Sequence, residues 1–317
     1  MLYIIVNNNI NVIDVFLHFC YLLITIIKNW YHILKNKDVP MQIIRFVINQ
    51  CKVFTDFIFT LYKMREVLIQ LTKRDFISKY IASYIGIYWA FLQPFISIFV
   101  MWFVFTFGFK PGNIESSVPF IAWLVCGMIP WFFISEAINS ATRSLIDYSY
   151  LITKINFRSS IIPIIKILTA LFLHGMFIPL IMIFSVGYGF YPSIHWLQIP
   201  YYLFAALMLI MGITWFTSAV TVFLRDMEQM ISVGIQLAFW ATPIFWNHTM
   251  LSGKLSYIAY LNPFFYIING YRDTFIYHKW FFEHLALTIY FWVVTFFFFI
   301  FGSLVFSRLK PHFADVL

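Results

Sequence analysis

From Ile167 to Leu224 the chain runs 58 residues without an Asp, Glu, Lys or Arg. A soluble domain, about a quarter of whose residues are charged, does not sustain such a run. One bilayer crossing needs about 20 apolar residues, so the stretch holds two helices. Gly187, Gly189, Pro192 and Pro200 supply the turn between them. The rest of the chain conforms, with 62% hydrophobic and 11% charged residues among 317, including 40 Phe, 19 Tyr and 11 Trp, and a mean hydropathy of +0.83. This excludes a soluble globular domain, a disordered chain and a disulfide scaffold.

Four further stretches, 80–109, 116–135, 229–253 and 284–307, also lack charge, and each accommodates one crossing. The expected fold is an all-α polytopic membrane protein with six spans near 82–108, 118–140, 163–187, 201–224, 230–248 and 284–307. Residues 63–317 form this transmembrane domain and residues 1–62 an N-terminal extension. Within the extension, 12–27 is apolar but short for a span, Met41 is a possible alternative start, and no cleaved signal is evident. Residues 63–79, 142–166, 225–228 and 308–317 carry 5, 4, 1 and 2 basic residues, against four on the opposite flanks, Lys110, Lys254, Arg272 and Lys279. Lys and Arg concentrate on the cytoplasmic side, so both ends of the six-helix unit are expected there. The net charge of +8 is then topological, and no nucleic-acid partner is implied.

Two segments depart from simple crossings. Residues 65–79 should lie along the inner surface as an interfacial helix, although their apolar residues form no single stripe. The apolar piece 255–271 is too short to span comfortably and is interrupted by Asn262-Pro263. It should be re-entrant, or an interfacial loop anchored by Tyr257, Tyr260, Phe264 and Tyr266.

Reactive chemistry is sparse. Cys20, Cys51 and Cys126 form no CxxC pair, and no metal site is expected. Glu136 is the only acidic residue inside the expected spans, which argues against ion coupling. Gly253-Lys254 is followed by Leu255 and lacks the upstream glycine, so the phosphate-cradling GxxxxGK[ST] is missing. His278 with Glu283, and Arg272 with Asp273, read as solvated pairs, and His174 as a packing or hydrogen-bonding residue within the bundle. These residues describe a conduit that draws its energy from elsewhere.

Four pieces of sequence, in order on this frame, give the chain a recognisable pattern. They are Lys73-Arg74-Asp75-Phe76 followed by Lys79-Tyr80, Ser83, Gly86, Trp89 and Pro94; Leu224-Arg225-Asp226-Met227-Glu228-Gln229; Thr242-Pro243-Ile244 with Asn262-Pro263-Phe264-Phe265; and Arg308-Leu309-Lys310-Pro311-His312-Phe313-Ala314-Asp315. Over roughly 64–317 the chain resembles the membrane subunits of type-2 ATP-binding-cassette exporters, particularly permeases for lipid-linked polysaccharides such as O-antigen, capsule and teichoic acid. Lys79 stands where that family usually has Arg.

The resemblance implies a permease subunit without its own ATP site. Two copies would form the conduit and recruit two ATPase subunits, which bind ATP and Mg. The export of a lipid-linked polysaccharide across the bacterial cytoplasmic membrane follows from it. Residues implied in coupling to the ATPase are Arg143, Lys154, Asn156 and Arg158 in the first cytoplasmic loop, with a short relaying helix, and Arg225, Asp226 and Glu228 before the fifth span; positive-inside anchoring or a helix-end pair explains the same residues without coupling. The interfacial helix is marked by Lys73, Arg74, Asp75, Lys79 and Tyr80.

Sugar C–H groups suit the face of an aromatic ring. In the resembled family the first and fifth spans line the channel, so Trp89, Phe91, Trp102, Phe239, Trp240, Phe245 and Trp246 are candidates for its wall; lipid-facing packing accounts for the same rings. A type-2 exporter of drugs or lipids, and a membrane-embedded transferase acting on lipid-linked sugars without an ATPase partner, are the competing readings.

Overall fold

A computed structural model describes residues 59–81, 84–109, 118–155, 157–247 and 256–317. The chain divides into two units, Met1–Leu71 and Thr72–Leu317. In the first, the described residues include Arg65, whose guanidinium lies 4.6 Å from the Tyr62 ring centroid. The expectations for residues 12–27 and Met41 lie outside the described residues.

The described residues form helices joined by short turns, without strands. The helices are α1 (Arg65–Ile81), α2 (Tyr88–Phe103, continued by a π-helical turn Val104–Phe109), α3 (Phe120–Asp147), α4 (Ser149–Ile155), α5 (Ile162–Gly187), α6 (Ile199–Phe223), α7 (Met227–Ala241), α8 (Ser256–Leu261), α9 (Pro263–Arg272, continued by a π-helical turn Asp273–Tyr277), α10 (Leu285–Leu309) and α11 (Phe313–Val316).

Among the described residues, five helical segments are long and apolar enough to cross a membrane: Tyr88–Gly108, Phe120–Asp147, Ser159–Gly187, Ile194–Phe223 and Phe281–Val316. They fall on five of the six expected spans, which makes this a multi-pass α-helical membrane protein. The sixth, expected near 230–248, is α7, and its helix stops after 15 residues. Pro243 is the cause: the residue before a proline is driven out of the helical region, and Thr242 is extended at φ −88°, ψ 135°. At 1.5 Å per residue α7 is about 22 Å long, short of the ~30 Å hydrocarbon core.

The core of the second unit is built on α3 and α6, whose spans are 78% buried, against 39% for the α5 span, 22% for the α10 span and 11% for the α2 span. Lipid is as apolar as a leucine side chain, so helices in it associate through close packing and hydrogen bonds. Gly212 of α6 and Gly302 of α10 provide the closest approach: a methyl at Gly302 would fall on the Gly212 carbonyl oxygen, and one at Gly212 would stand 2.6 Å from the Phe299 nitrogen. Between α3 and α6, the hydroxyls of Thr142 and Thr217 bond at 2.8 Å. Thr142 also donates to the Ile138 carbonyl and Thr221 to that of Thr217, so these buried groups are satisfied within the helices.

Candidate functional site

Charged residues of α1, the start of α5, the end of α3 and the start of α7 form one run of contacts. Lys166 Nζ donates to Asp75 Oδ1 at 2.8 Å and lies 3.2 Å from Asp147 Oδ2. Tyr148 Oη donates to the same Asp75 oxygen at 2.9 Å. Arg143 then extends the chain of charge, Nε to Asp147 Oδ1 at 3.1 Å and Nη1 to Glu228 Oε1 at 3.2 Å. Alongside, Lys79 pairs with Glu136. A ladder Asp75–Lys166–Asp147–Arg143–Glu228 therefore joins α1, α5, α3 and α7. Burial first, then the Asp75 carboxylate, pushes the Tyr148 phenol above its ordinary range, which keeps it a donor. Asp75, Lys79, Glu136 and Lys166 also line a cavity of about 250 Å³ with Ser78, Ser140 and Thr169.

This places the residues marked for the interfacial helix on two faces. Lys73, Arg74 and Lys79 are exposed, whereas Asp75 is 7% exposed and turned inward. Tyr80 lies in the last turn of α1. A surface helix with no clean apolar stripe is explained by this: α1 holds its neighbours partly by a carboxylate. Lys166 was not singled out from the sequence. Its signal was position, the last charge before the 58-residue run, which a count of topological charges absorbed.

The other residues implied in coupling are not drawn into the ladder. Lys154 and Arg158 are exposed around α4, a seven-residue helix standing where a short helix was expected in this loop. Asn156 lies outside the described residues. Arg225 and Asp226 are exposed in the turn between α6 and α7, and Asp226 occupies the N-cap position of α7 without a side-chain cap bond. Thus Arg143 and Glu228 form one contact, and Lys154, Arg158, Arg225 and Asp226 are solvent-facing.

Along α2 and α7 the aromatic candidates differ in exposure. Trp89 and Trp240 are exposed, at 43% and 53%. Phe91 is half-buried against Phe177, ring centroids 5.4 Å apart, and Trp102 packs on Phe99 and Phe107. Phe239 is half-buried against Trp131 at 5.7 Å. Phe245 is buried in a cluster with Phe105, Phe239 and Trp240, centroids 5.0–5.6 Å apart. Trp246 donates its indole N–H to the Trp240 carbonyl at 3.2 Å. No residue of α7 is buried, and Gln229, Ser232 and Gln236 are exposed along it beside Trp240.

The segment before the last span is a broken helix, interrupted at Asn262-Pro263 as expected. Asn262 Oδ1 accepts from the Phe264 N–H at 3.0 Å, capping α9, and Pro263 fills the first helical position. Asn262 Nδ2 donates to Thr242 Oγ1 at 2.6 Å. Arg272 and Asp273, expected as a solvated pair, are instead 1% and 5% exposed. The helical turn beginning at Asn262 carries both beneath α3. Burial pushes the Asp273 carboxyl up to about 7 against the pull of Lys279 and Arg272. Glu283 accepts from the Trp280 N–H, and His278 bonds Ser193 at 3.0 Å, so these two are not paired with each other. His174 does bond within the bundle, Nε2 to Tyr271 Oη at 2.7 Å, stacked on Phe133.

The family model described as "ABC-2 type transporter" matches residues 66–276, so the chain belongs to that family and is a membrane component of a transporter. Two curated relatives from Klebsiella pneumoniae, each named O-antigen export system permease protein RfbA, are 28% and 29% identical over 199 residues, covering 62% of this chain and 76% of theirs. A protein of the same name from Myxococcus xanthus is 27% identical over 169 residues, 52% of this chain and 65% of its own. The family match runs from the first turn of α1 to Ile276 and takes in the ladder, the α2 and α7 aromatics and the broken segment. Family membership removes the embedded transferase from the readings left open above.

Proposed function

We propose that this protein is the permease subunit of an ATP-driven exporter that moves a lipid-linked polysaccharide across the bacterial cytoplasmic membrane. The observation that carries the reading is the similarity, over about three fifths of the chain, to O-antigen export permeases. Two copies of the chain form the conduit, with α2 and α7 on its wall, and two ATPase subunits bind ATP and Mg. The ends of the six-helix unit face the cytoplasm, in keeping with 12 basic residues on those flanks against four opposite. Lys154, Arg158, Arg225 and Asp226 are exposed on segments of that side, where a soluble ATPase docks. Arg143 and Glu228 sit one step further in and pass its movement to α7.

The rings left exposed, Trp89 and Trp240, support a sugar-polymer substrate because an aromatic face holds sugar C–H groups without fixing one residue of the chain. Purification from the native membrane in mild detergent, with quantitative mass spectrometry of what accompanies the protein, tests the reading. An equimolar protein carrying GxxxxGK[ST] and loss of surface polysaccharide in a deletion strain are expected. An ATPase partner with unchanged surface polysaccharide would instead favour a drug or lipid exporter.

A further inference from the structure

The two ends of α7 are held by different chemistry. At the Met227 end, Glu228 meets Arg143 through a pair whose side chains are 42% and 55% exposed. Such a pair is solvated, screened by salt and easily exchanged for water. At the Ala241 end the chain turns at Thr242 and Pro243 into the grip of Arg272. Nη1 of that guanidinium donates to the Pro243 carbonyl at 2.7 Å and Nη2 to the Ile244 carbonyl at 2.8 Å. Its carbon lies 3.3 Å from the centroid of the Trp123 ring of α3. Bonds from a charged, buried donor are the strong kind, and the Trp123 ring offsets part of the guanidinium charge as a cation–π partner.

A second, independent feature shows that α3 is shaped to this seat. A methyl group at Gly127 would stand 2.7 Å from Arg272 Nη2 and 3.3 Å from the Ile244 carbonyl oxygen, so only glycine leaves room for both. Asn262 reinforces the grip by donating to Thr242, whose hydroxyl in turn donates to the Ala238 carbonyl in the last turn of α7. Between its two ends α7 buries no residue; among the described residues it meets α3 only lightly along its length, through a 3.3 Å hydrogen bond from the exposed Ser232 to Asn139 and, close to the Ala241 end, the packing of Phe239 on Trp131.

We propose that Arg272 is a positioning residue that makes the Ala241 end of α7 the fixed end of a lever, leaving the Met227 end free to swing when its ion pair to Arg143 is exchanged. This rests on the transport reading above, in which α7 is part of the conduit wall. Its consequence is that ATP-driven movement opens the wall from the Met227 end, while the stretch 242–246 keeps Phe245 in place between α2 and α7.

Pulsed electron paramagnetic resonance on the complex with its ATPase in liposomes tests the lever directly. Spin labels at Gln229 and at Ala241 are each paired with one at Phe297 on α10, with Cys20 and Cys51 replaced by Ser and labelled protein diluted so that distances fall within one chain. Between the ATP-free and vanadate-trapped states the Gln229 distance changes and the Ala241 distance does not. Arg272→Lys, which keeps a charge but loses the fork and the stack, broadens the Ala241 distance and lowers export per ATP hydrolysed. Gly127→Ala, which displaces the guanidinium without removing it, does the same if the lysine variant does not accumulate. Equal displacement at both ends, no displacement at either in an exporting complex, or an unbroadened Ala241 distance in the variants overturns the proposal. Failure of the transport reading is visible earlier and separately, as a purified protein that brings no ATPase with it.

Discussion

The spans of α2 and α3 have nearly the same mean hydropathy, 1.9 and 1.8, yet 11% of one and 78% of the other is buried within the chain. Hydropathy decides what enters the bilayer, because lipid accepts any apolar surface; it does not decide what enters the protein. The difference lies in what else each helix carries. α3 presents Gly127, Ala137 and Ala141 to its neighbours and brings Thr142 and Ser144 into helix contacts or back to its own carbonyls, the small and hydroxyl residues that let helices approach in lipid. α2 presents Phe95, Phe99, Val100 and Phe103 outward, each half to two-thirds exposed, an apolar surface that the described chain itself leaves uncovered.

That contrast is open to direct attack. The largest effect is expected at Arg272→Met, which leaves the Pro243 and Ile244 carbonyls buried without donors, at about 1–3 kcal/mol for each group; the protein should fail to survive size-exclusion chromatography in detergent. Ile134→Ala in α3, fully buried, should cost about 2–5 kcal/mol through lost packing, whereas Phe99→Ala in α2, half exposed, should leave the thermal midpoint in detergent almost unchanged. A similar loss in both would end the distinction between core and wall. Gly302→Leu should force α6 and α10 apart, at about 1–3 kcal/mol or more, read as a lowered midpoint in the same assay. The smallest effect on stability belongs to Arg143→Ala, within about 1 kcal/mol; its expected signature is instead a higher ATP consumption per unit of polymer exported by the reconstituted complex.

Much of the plan was legible without coordinates. Charge-free stretches located five spans to within a few residues at most ends, and Asn262-Pro263 marked the broken segment. The short fifth helix was also written in the chain, since Pro243 disfavours helix at Thr242, but a charge-free run continuing to Gly253 masked it. The site was legible in part. Arg143 and Glu228, chosen for different loops, meet across 85 positions. Asp75 was chosen as a surface residue and found its partners in Lys166 and Tyr148, 91 and 73 positions away. Arg272 was misread because a charge next to an acid in a loop between spans has the local appearance of a solvated pair; the carbonyls and the tryptophan face that satisfy it come from segments 28–149 positions distant.

The sequence by itself determined the solvent, the number of apolar segments and the family, because hydropathy, charge placement and short ordered motifs are local properties that need no partner. Only the tertiary structure decided which apolar helices form the interior, that Asp75 and Arg272 turn inward, and that α7 is gripped at one end and loosely paired at the other. The physical reason is that burial of a charge is settled by who satisfies it. Carbonyls of an interrupted helix, the face of one ring and a missing side chain at Gly127 become a binding seat only when three separate segments meet.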